Sequence, residues 1–157
     1  MSDAATPVLQ STAFAQAKAR LSELMDQAVH QHRVQLIDRH RGKEQAVLVS
    51  LADLGVLLEG LEFHPRVSAV DGEFVIRVPE LKQVAGGGTL DEALDELIDL
   101  VEDQAQDFLD RLDFYLQTDR RRELPWVLKF AITDPAERRK LFVPPTPGPR
   151  AGAPAPA

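Results

Sequence analysis

Residues 70–79 read VDGEFVIRVP, and this stretch decides the type of fold. The Asp-Gly pair at 71–72 is typical of the tight turn of a β-hairpin, and residues 74–78 form a β-prone run. Pro79 ends that run because proline cannot donate a hydrogen bond to a neighbouring strand. The sequence therefore predicts an antiparallel hairpin near the middle of the chain.

A long helix is predicted directly after this hairpin. Three glycines at 86–88 predict a loop, and Thr89 with Glu92 forms the T-x-x-E pattern of a helix capping box. Apolar residues then recur at helical spacing, at Leu90, Ala93, Leu94, Leu97, Ile98, Val101, Ala105, Phe108, Leu109 and Leu112.

The polar face of this helix carries Asp and Glu almost alone. Two interpretations stay open: a solvated face that favours solubility, or an electrostatic surface for a basic partner. Regular helical spacing spreads the acids along the helix, so it does not favour a metal site. The His30 and His32 pair does not favour one either, because residues two apart do not share a helix face.

The N-terminal part of the chain has a different pattern. Residues 13–30 predict an amphipathic helix, and two β-prone runs at 34–37 and 46–49 flank a polar turn that contains Gly42. Ser50 is placed to cap a further, leucine-rich helix, with Asp53 three residues on. We expect an αββα unit.

This N-terminal pattern resembles the Phd/YefM (prevent-host-death) antitoxin domain, through RLSELM at 20–25, LIDR at 36–39 and AVLVSL at 46–51. One departure is Asp38, where that family usually has threonine. The resemblance implies a dimerising, DNA-binding domain over residues 1–62. It also implies that the basic residues of this stretch face operator DNA, namely Lys18, Arg20, Arg39, Arg41 and Lys43. Lys18 and Arg20 are expected early in the first helix, whose amino end suits phosphate.

Residues 63–118 resemble the HicB antitoxin domain, a reduced ribonuclease-H-like fold of hairpin and helix. The resemblance lies in DG at 71–72, FV at 74–75, VPEL at 78–81 and GTLDEAL at 88–94. Lys82-Gln83 and Gly87-Gly88 depart from the usual pattern in the loop. The strand at 74–78 contains no carboxylate, so we expect a fold that binds without catalysing.

Residues 119–143 have two open interpretations. They could form a C-terminal extension that folds onto a partner, or residues 126–128 could add a strand to the preceding sheet. In the first case the anchors are Trp126, Leu128, Phe130, Leu141 and Phe142. Residues 144–157 consist of Pro, Ala and Gly with one threonine and one arginine, and we expect a disordered tail.

Composition limits the remaining possibilities. The 157 residues carry a net charge of −7, which taken alone argues against nucleic-acid binding, and no cysteine, which fits a reducing cytoplasm. We expect an α+β, non-enzymatic cytoplasmic protein with no metal, cofactor, small-molecule substrate or membrane contact. The two resemblances imply the homodimeric antitoxin of a type II toxin-antitoxin system, which binds a cognate toxin, such as a ribonuclease, and represses its own operon at operator DNA. The alternative is a stand-alone dimeric transcriptional regulator without a toxin.

Overall fold

The computed structural model describes residues 8–144 and divides into two compact units, the first ending at Gly60 and the second beginning at Leu61. Each unit combines a three-stranded sheet with helices, so the α+β class is confirmed. The boundary lies two residues before the predicted one. Residues 145–157, which hold nearly all of the predicted tail, lie outside the described residues.

The first unit is built on a sheet of order β1-β2-β3. Strand β1 is parallel to β2, with Ser11 opposite Leu36, and β2 is antiparallel to β3, with Gln35 opposite Leu48. Its elements are β1 (Ser11–Ala13), α1 (Phe14–Ala19), α2 (Leu21–His30), β2 (Gln35–Arg39), β3 (Glu44–Leu48) and α3 (Leu51–Leu58). The hairpin was predicted, whereas β1 was not, because three residues are too short to show a period.

The predicted helix over residues 13–30 is two helices. Arg20 has φ −119° and ψ 26°, which are not helical values, so α1 ends before it and α2 begins after it. Arginine is a good helix former, so nothing in the local sequence indicates this break. The predicted cap of α3 is confirmed, because the Ser50 side chain accepts a hydrogen bond from the Asp53 amide at 3.0 Å.

The second unit contains an antiparallel sheet of order β4-β5-β6, with Val67 opposite Ile76 and Ile76 opposite Ala85. Its strands are β4 (Arg66–Val70), β5 (Glu73–Val78) and β6 (Gln83–Gly87). Its helices are α4 (Leu90–Asp110), α5 (Leu112–Tyr115) and α6 (Leu124–Ile132), with 3-10 helices at Pro79–Leu81, Asp119–Glu123 and Pro135–Leu141. The hairpin turn, the strand end at Pro79 and the Thr89–Glu92 capping box are confirmed.

The glycines at 86–88 correct one expectation, because Gly86 and Gly87 belong to strand β6 and not to a loop. A Cβ atom built on Gly87 would lie 2.6 Å from the backbone nitrogen of Ala93 in α4. Glycine is therefore required where the strand passes under the first turn of the helix. At Gly86 the nearest atom would be the Phe74 carbonyl oxygen at 3.5 Å, an ordinary contact.

Residues 119–143 are part of the second unit's core, which corrects both interpretations of this segment. Residues 126–128 lie in helix α6 and add no strand to the sheet. Phe130 and Phe142 are almost fully buried, and the Phe142 ring lies 5.0 Å from that of Phe63. The aromatic side chains bury a large apolar area together, so this segment completes the core beside α4.

A buried polar cluster also ties the segment to α4. The Glu123 carboxylate is 4% exposed and accepts hydrogen bonds from Arg120 at 2.9 Å and from Gln104 of α4 at 3.1 Å. The same Gln104 amide donates to the Leu81 carbonyl oxygen at 3.0 Å. The hydrogen bond that Arg120 donates to Glu123 raises the pKa of Arg120. Buried charge of this kind is tolerated because it is paired and hydrogen-bonded.

Candidate functional site

The turn between β2 and β3 presents the basic residues predicted to bind DNA. Arg39, Arg41 and Lys43 are all exposed, and His40, Arg41 and Gly42 have positive φ values. This left-handed backbone makes the turn tight, so its side chains project from the end of the hairpin. We call residues 39–43 the basic turn.

Arg39 differs from its neighbours in the basic turn because it already has partners. Its Nε donates to the Glu44 carboxylate at 2.6 Å, and its guanidinium lies 5.5 Å from the centre of the Phe14 ring. Within residues 8–144, Arg41 and Lys43 form no ion pair. They are the exposed cations of the basic turn whose charge no carboxylate offsets in this part of the chain.

Lys18 and Arg20 do not lie where the sequence placed them. Lys18 is in the last turn of α1, and Arg20 precedes the first residue of α2. The expected phosphate site at the amino end of the first helix is therefore wrong for Lys18. Arg20 donates to Glu23 at 2.7 Å, and this pair raises the pKa of Arg20 and lowers that of Glu23. Lys18 is exposed and has no ion-pair partner in the described part of the chain.

The first unit leaves much of its apolar surface uncovered. Among the described residues, it buries only three apolar side chains, Ala17, Leu24 and Ala28. Helix α3 is rich in leucine, yet none of its residues is buried, and Leu57 is 73% exposed. Exposed apolar surface of this extent is typical of a protein interface.

Two arginines of the second unit neutralise part of the negative charge of helix α4. Arg138 pairs with Glu102 at 2.5 Å, and Arg139 pairs with Asp91 at 2.7 Å and with Asp95. Three further acids at helical spacing, Glu96, Asp99 and Asp103, are exposed. No ion pair engages them anywhere in residues 8–144. We call these three the acidic stripe.

The predicted partner-binding anchors are distributed between core and surface. Phe130 and Phe142 are 1% and 0% exposed, so in this structure they pack inside the second unit and are not available to a partner. Trp126, Leu128 and Leu141 are half-buried, and the Trp126 ring lies 5.2 Å from that of Phe63. Two of the five predicted anchors belong to the core. The sequence pattern did not distinguish the two roles, because a protein core and an interface use the same residue types.

Two further observations on the described residues concern metal-binding clusters and membrane-spanning helices. No three His, Asp or Glu side chains of residues 8–144 converge on one point that could hold a metal ion. His32 Nδ1 instead lies 2.9 Å from the Asp53 carboxylate. Over the same range, no helix combines the length and the apolar character that spanning a bilayer demands.

Comparison with known proteins identifies the family. Residues 8–143 match the model of the PHD-like family, which is described as antitoxin of toxin-antitoxin, RelE / RelB, TA system. The chain belongs to this antitoxin family. A single family model thus spans both units. Among curated proteins, none matches the chain.

A solved structure supports the fold of the antitoxin independently. It is the crystal structure of the antitoxin part of a proposed toxin/antitoxin system from Syntrophomonas wolfei subsp. wolfei. The TM-score is 0.74 at 18% sequence identity, and the match covers 85% of this chain and 96% of that chain. At 18% identity this similarity shows a shared fold and carries no conclusion about function.

Sequence reasoning missed the acidic stripe as a distinct surface of the antitoxin. The acids of α4 were visible as one set, but the sequence could not separate those that Arg138 and Arg139 neutralise from those that stay free. The separation depends on contacts between residues 36 to 48 positions apart. The one available signal was the run of three cations at 138–140, which follows a cap at Asp134.

Proposed function

We propose that this antitoxin acts as a homodimer that binds operator DNA with its first unit and neutralises a basic toxin, a ribonuclease, with its second unit. The observation that carries the proposal is the separation of charge. The first unit has six Lys and Arg against seven Asp and Glu, whereas the second has twelve against eighteen. Two unpaired cations of the first unit, Arg41 and Lys43, lie at a tight turn, and three unpaired acids of the second, Glu96, Asp99 and Asp103, lie along helix α4.

The dimer would use the uncovered apolar surface of the first unit. Leu51, Val56 and Leu57 of α3 are 63%, 66% and 73% exposed. Full burial of one such side chain contributes roughly 1.5–3 kcal/mol. A second copy of the chain is the occupant that fits best, because a two-fold interface buries the same patch twice and presents two basic turns to a palindromic operator.

DNA binding would rest on Arg41, Lys43 and Lys18, with Arg20 and Arg39 contributing less. Each of the two paired arginines already shares charge with a carboxylate, Glu23 or Glu44. A phosphate has to compete with that carboxylate for the guanidinium group. A paired arginine therefore contributes less binding free energy than an unpaired cation does. Contacts of free cations with phosphate release counterions, which makes the affinity dependent on salt.

Toxin binding would rest on the acidic stripe. Toxin ribonucleases that bind RNA carry basic surfaces, and an acidic helix steers such a surface and holds it. Trp126, Leu128 and Leu141 are half-buried, and their exposed parts would add apolar contacts to the toxin. A dimer carrying two toxins would bind its operator more tightly through multivalency.

The toxin proposal can be tested by co-purification. The tagged antitoxin is purified gently from its native cells, and any small basic protein that co-purifies is identified by intact mass and its complex measured by gel filtration. The variant E96Q/D99N/D103N should lose most of the complex. The matched control D26N/D71N/E73Q removes the same charge at exposed positions elsewhere and should keep it. If both variants retain the same amount of complex, the acidic stripe is not part of the toxin interface.

The DNA proposal needs a separate measurement, by fluorescence anisotropy on the segment upstream of the gene. R41Q/K43Q should weaken binding and lower the salt slope by about 3–4, because each phosphate contact contributes about 0.9 and the dimer loses two contacts in each of its two basic turns. R121Q/R122Q, which removes two exposed cations of the second unit, is the control. If R41Q/K43Q binds as wild type does, the basic turn is not the DNA site. Tight promoter binding without any toxin partner would favour the stand-alone regulator.

A further inference from the structure

The sheet of the second unit has one face that no helix covers in the described structure. Helix α4 packs on the side of Ile76, Val78 and Ala85, which are at most 4% exposed. Side chains alternate along a strand, so Arg77 of β5 lies on the opposite face. The strand register places Arg66 of β4 directly opposite Arg77.

Three cations, two of them on this face, line one groove. Arg66, Arg77 and Lys82 line one shallow groove together with Pro79 and Val84, and none of the described acidic residues lines it. Like charges directly opposite each other across two strands destabilise a sheet. The pair is therefore unfavourable by itself and becomes favourable when an anion lies between the two guanidinium groups.

These cations contrast with four other arginines of the second unit, although Arg121 and Arg122 in the 3-10 helix Asp119–Glu123 likewise form no ion pair within residues 8–144. Arg111, Arg120, Arg138 and Arg139 each form an ion pair with an Asp or a Glu. In a unit with eighteen acids, Arg66 and Arg77 are left without one in the part of the chain that the structure describes. Lys82 adds a third positive charge and has a left-handed backbone, with φ 54°.

From this arrangement we infer that the groove formed by Arg66, Arg77 and Lys82 binds the phosphates of a nucleic-acid backbone. A guanidinium group presents parallel N–H donors that match phosphate oxygens. The groove is open to solvent, so a single small anion would stay largely hydrated, whereas a polyanion gains from several contacts and from released counterions. A protein partner would be expected to meet acceptors as well as donors, yet the charged side chains here are all donors.

This contact is separate from the one proposed for the basic turn of the first unit. It requires no operator sequence, because phosphate contacts carry no base information. The second unit would thus add affinity for nucleic acid of any sequence, in a protein whose net charge is −7. The acidic stripe lies on α4, which packs on the other face of the same sheet.

The test uses the full-length protein and a labelled duplex of arbitrary sequence, with anisotropy measured over a series of salt concentrations. R66Q/R77Q should lower the affinity at low salt by about tenfold or more and reduce the salt slope by about 2. The matched control R121Q/R122Q makes the same change in net charge and should have a much smaller effect. Equal loss in the two variants, or none in R66Q/R77Q, would overturn the inference.

Two further measurements guard the interpretation. R66Q/R77Q should melt at the wild-type temperature or above it, because a repulsion is removed, and this would exclude unfolding as the cause of lost binding. The same change in an R41Q/K43Q background should give the same fold-loss, which keeps the inference independent of the first unit. If polyglutamate competes as well as the duplex does, the groove binds acidic protein and the inference fails.

Discussion

The two units of the antitoxin differ most in how much core each one builds. Of the described apolar residues, the second unit buries fifteen and the first buries three, two of which are alanines. Ordering a residue costs about 1–2 kcal/mol of backbone entropy, and burial of apolar area is the main term that offsets it. The second unit thus has a substantial core of its own, whereas the first buries little apolar area, and this difference supports the dimer interface proposed for its exposed apolar surface.

The strongest test of this difference is Leu57→Lys in the first unit. If α3 forms the dimer interface, the change removes roughly 1.5–3 kcal/mol of burial per chain, and a two-fold interface counts it twice. Sedimentation equilibrium should show the dimer weakened by about a hundredfold or more. Val70→Lys, at a 53% exposed position of the second unit, is the control. A dimer of unchanged affinity would place the interface elsewhere.

Phe142→Ala tests whether the C-terminal segment belongs to the core of the second unit. Removal of a fully buried phenylalanine costs about 3–5 kcal/mol. Urea unfolding, followed by the fluorescence of Trp126, should report this loss. Val143→Ala changes a neighbour that is 50% exposed and should stay within about 0.5 kcal/mol of wild type. A cost near zero at Phe142 would mean that the segment is a separable extension after all.

Gly87→Ala sharpens the comparison at the contact between sheet and helix. Its Cβ would lie 2.6 Å from the Ala93 nitrogen and 2.8 Å from the Glu92 Cβ, so α4 has to shift. We expect a loss of about 1–3 kcal/mol in the stability of the second unit, as for other overpacked sites. Gly86→Ala in the same strand meets only an ordinary contact and serves as the control. Similar stability of the two variants would show that the helix can move away.

The smallest effect is expected at the cap of α3. Ser50→Ala should cost the first unit about 1 kcal/mol. The hydrogen bond with Ser50 is the largest cause that lowers the pKa of Asp53; desolvation opposes it, and His32 adds to the lowering. Because the folded pKa is the lower one, the stability that Asp53 contributes is complete above the ordinary carboxyl pKa of about 3.9 and is lost as the pH falls through the lowered value.

Titration of Asp53 by NMR provides the readout for this cap. In Ser50→Ala the pKa of Asp53 should rise towards its ordinary value, and acid unfolding of the first unit should begin at a higher pH. Ser22→Ala, an exposed serine in α2, is the control and should leave the pKa unchanged. An Asp53 pKa that is equal in wild type and Ser50→Ala would contradict the proposed cause.

Local signals in the sequence were reliable where one residue type controls one backbone feature. The Asp71-Gly72 turn, the strand end at Pro79, the Ser50 cap and the capping box of Thr89 all appear as predicted. Each of these depends on residues at most three apart. Features that depend on distant partners were wrong, namely the loop at 86–88, the unbroken first helix and the separate C-terminal extension.

The sequence by itself determined the α+β class, the hairpins, the helix caps and the acidic character of α4, because periodicity and capping act over a few residues. Only the tertiary structure decided which charges stay free. It paired Arg138 and Arg139 with acids of α4, and it set Arg66 opposite Arg77 without a partner in the described chain. It also showed that Phe130 and Phe142, which the sequence suggested as anchors for a partner, are buried in the core. Apolar burial depends on which segments meet in space and not on their composition.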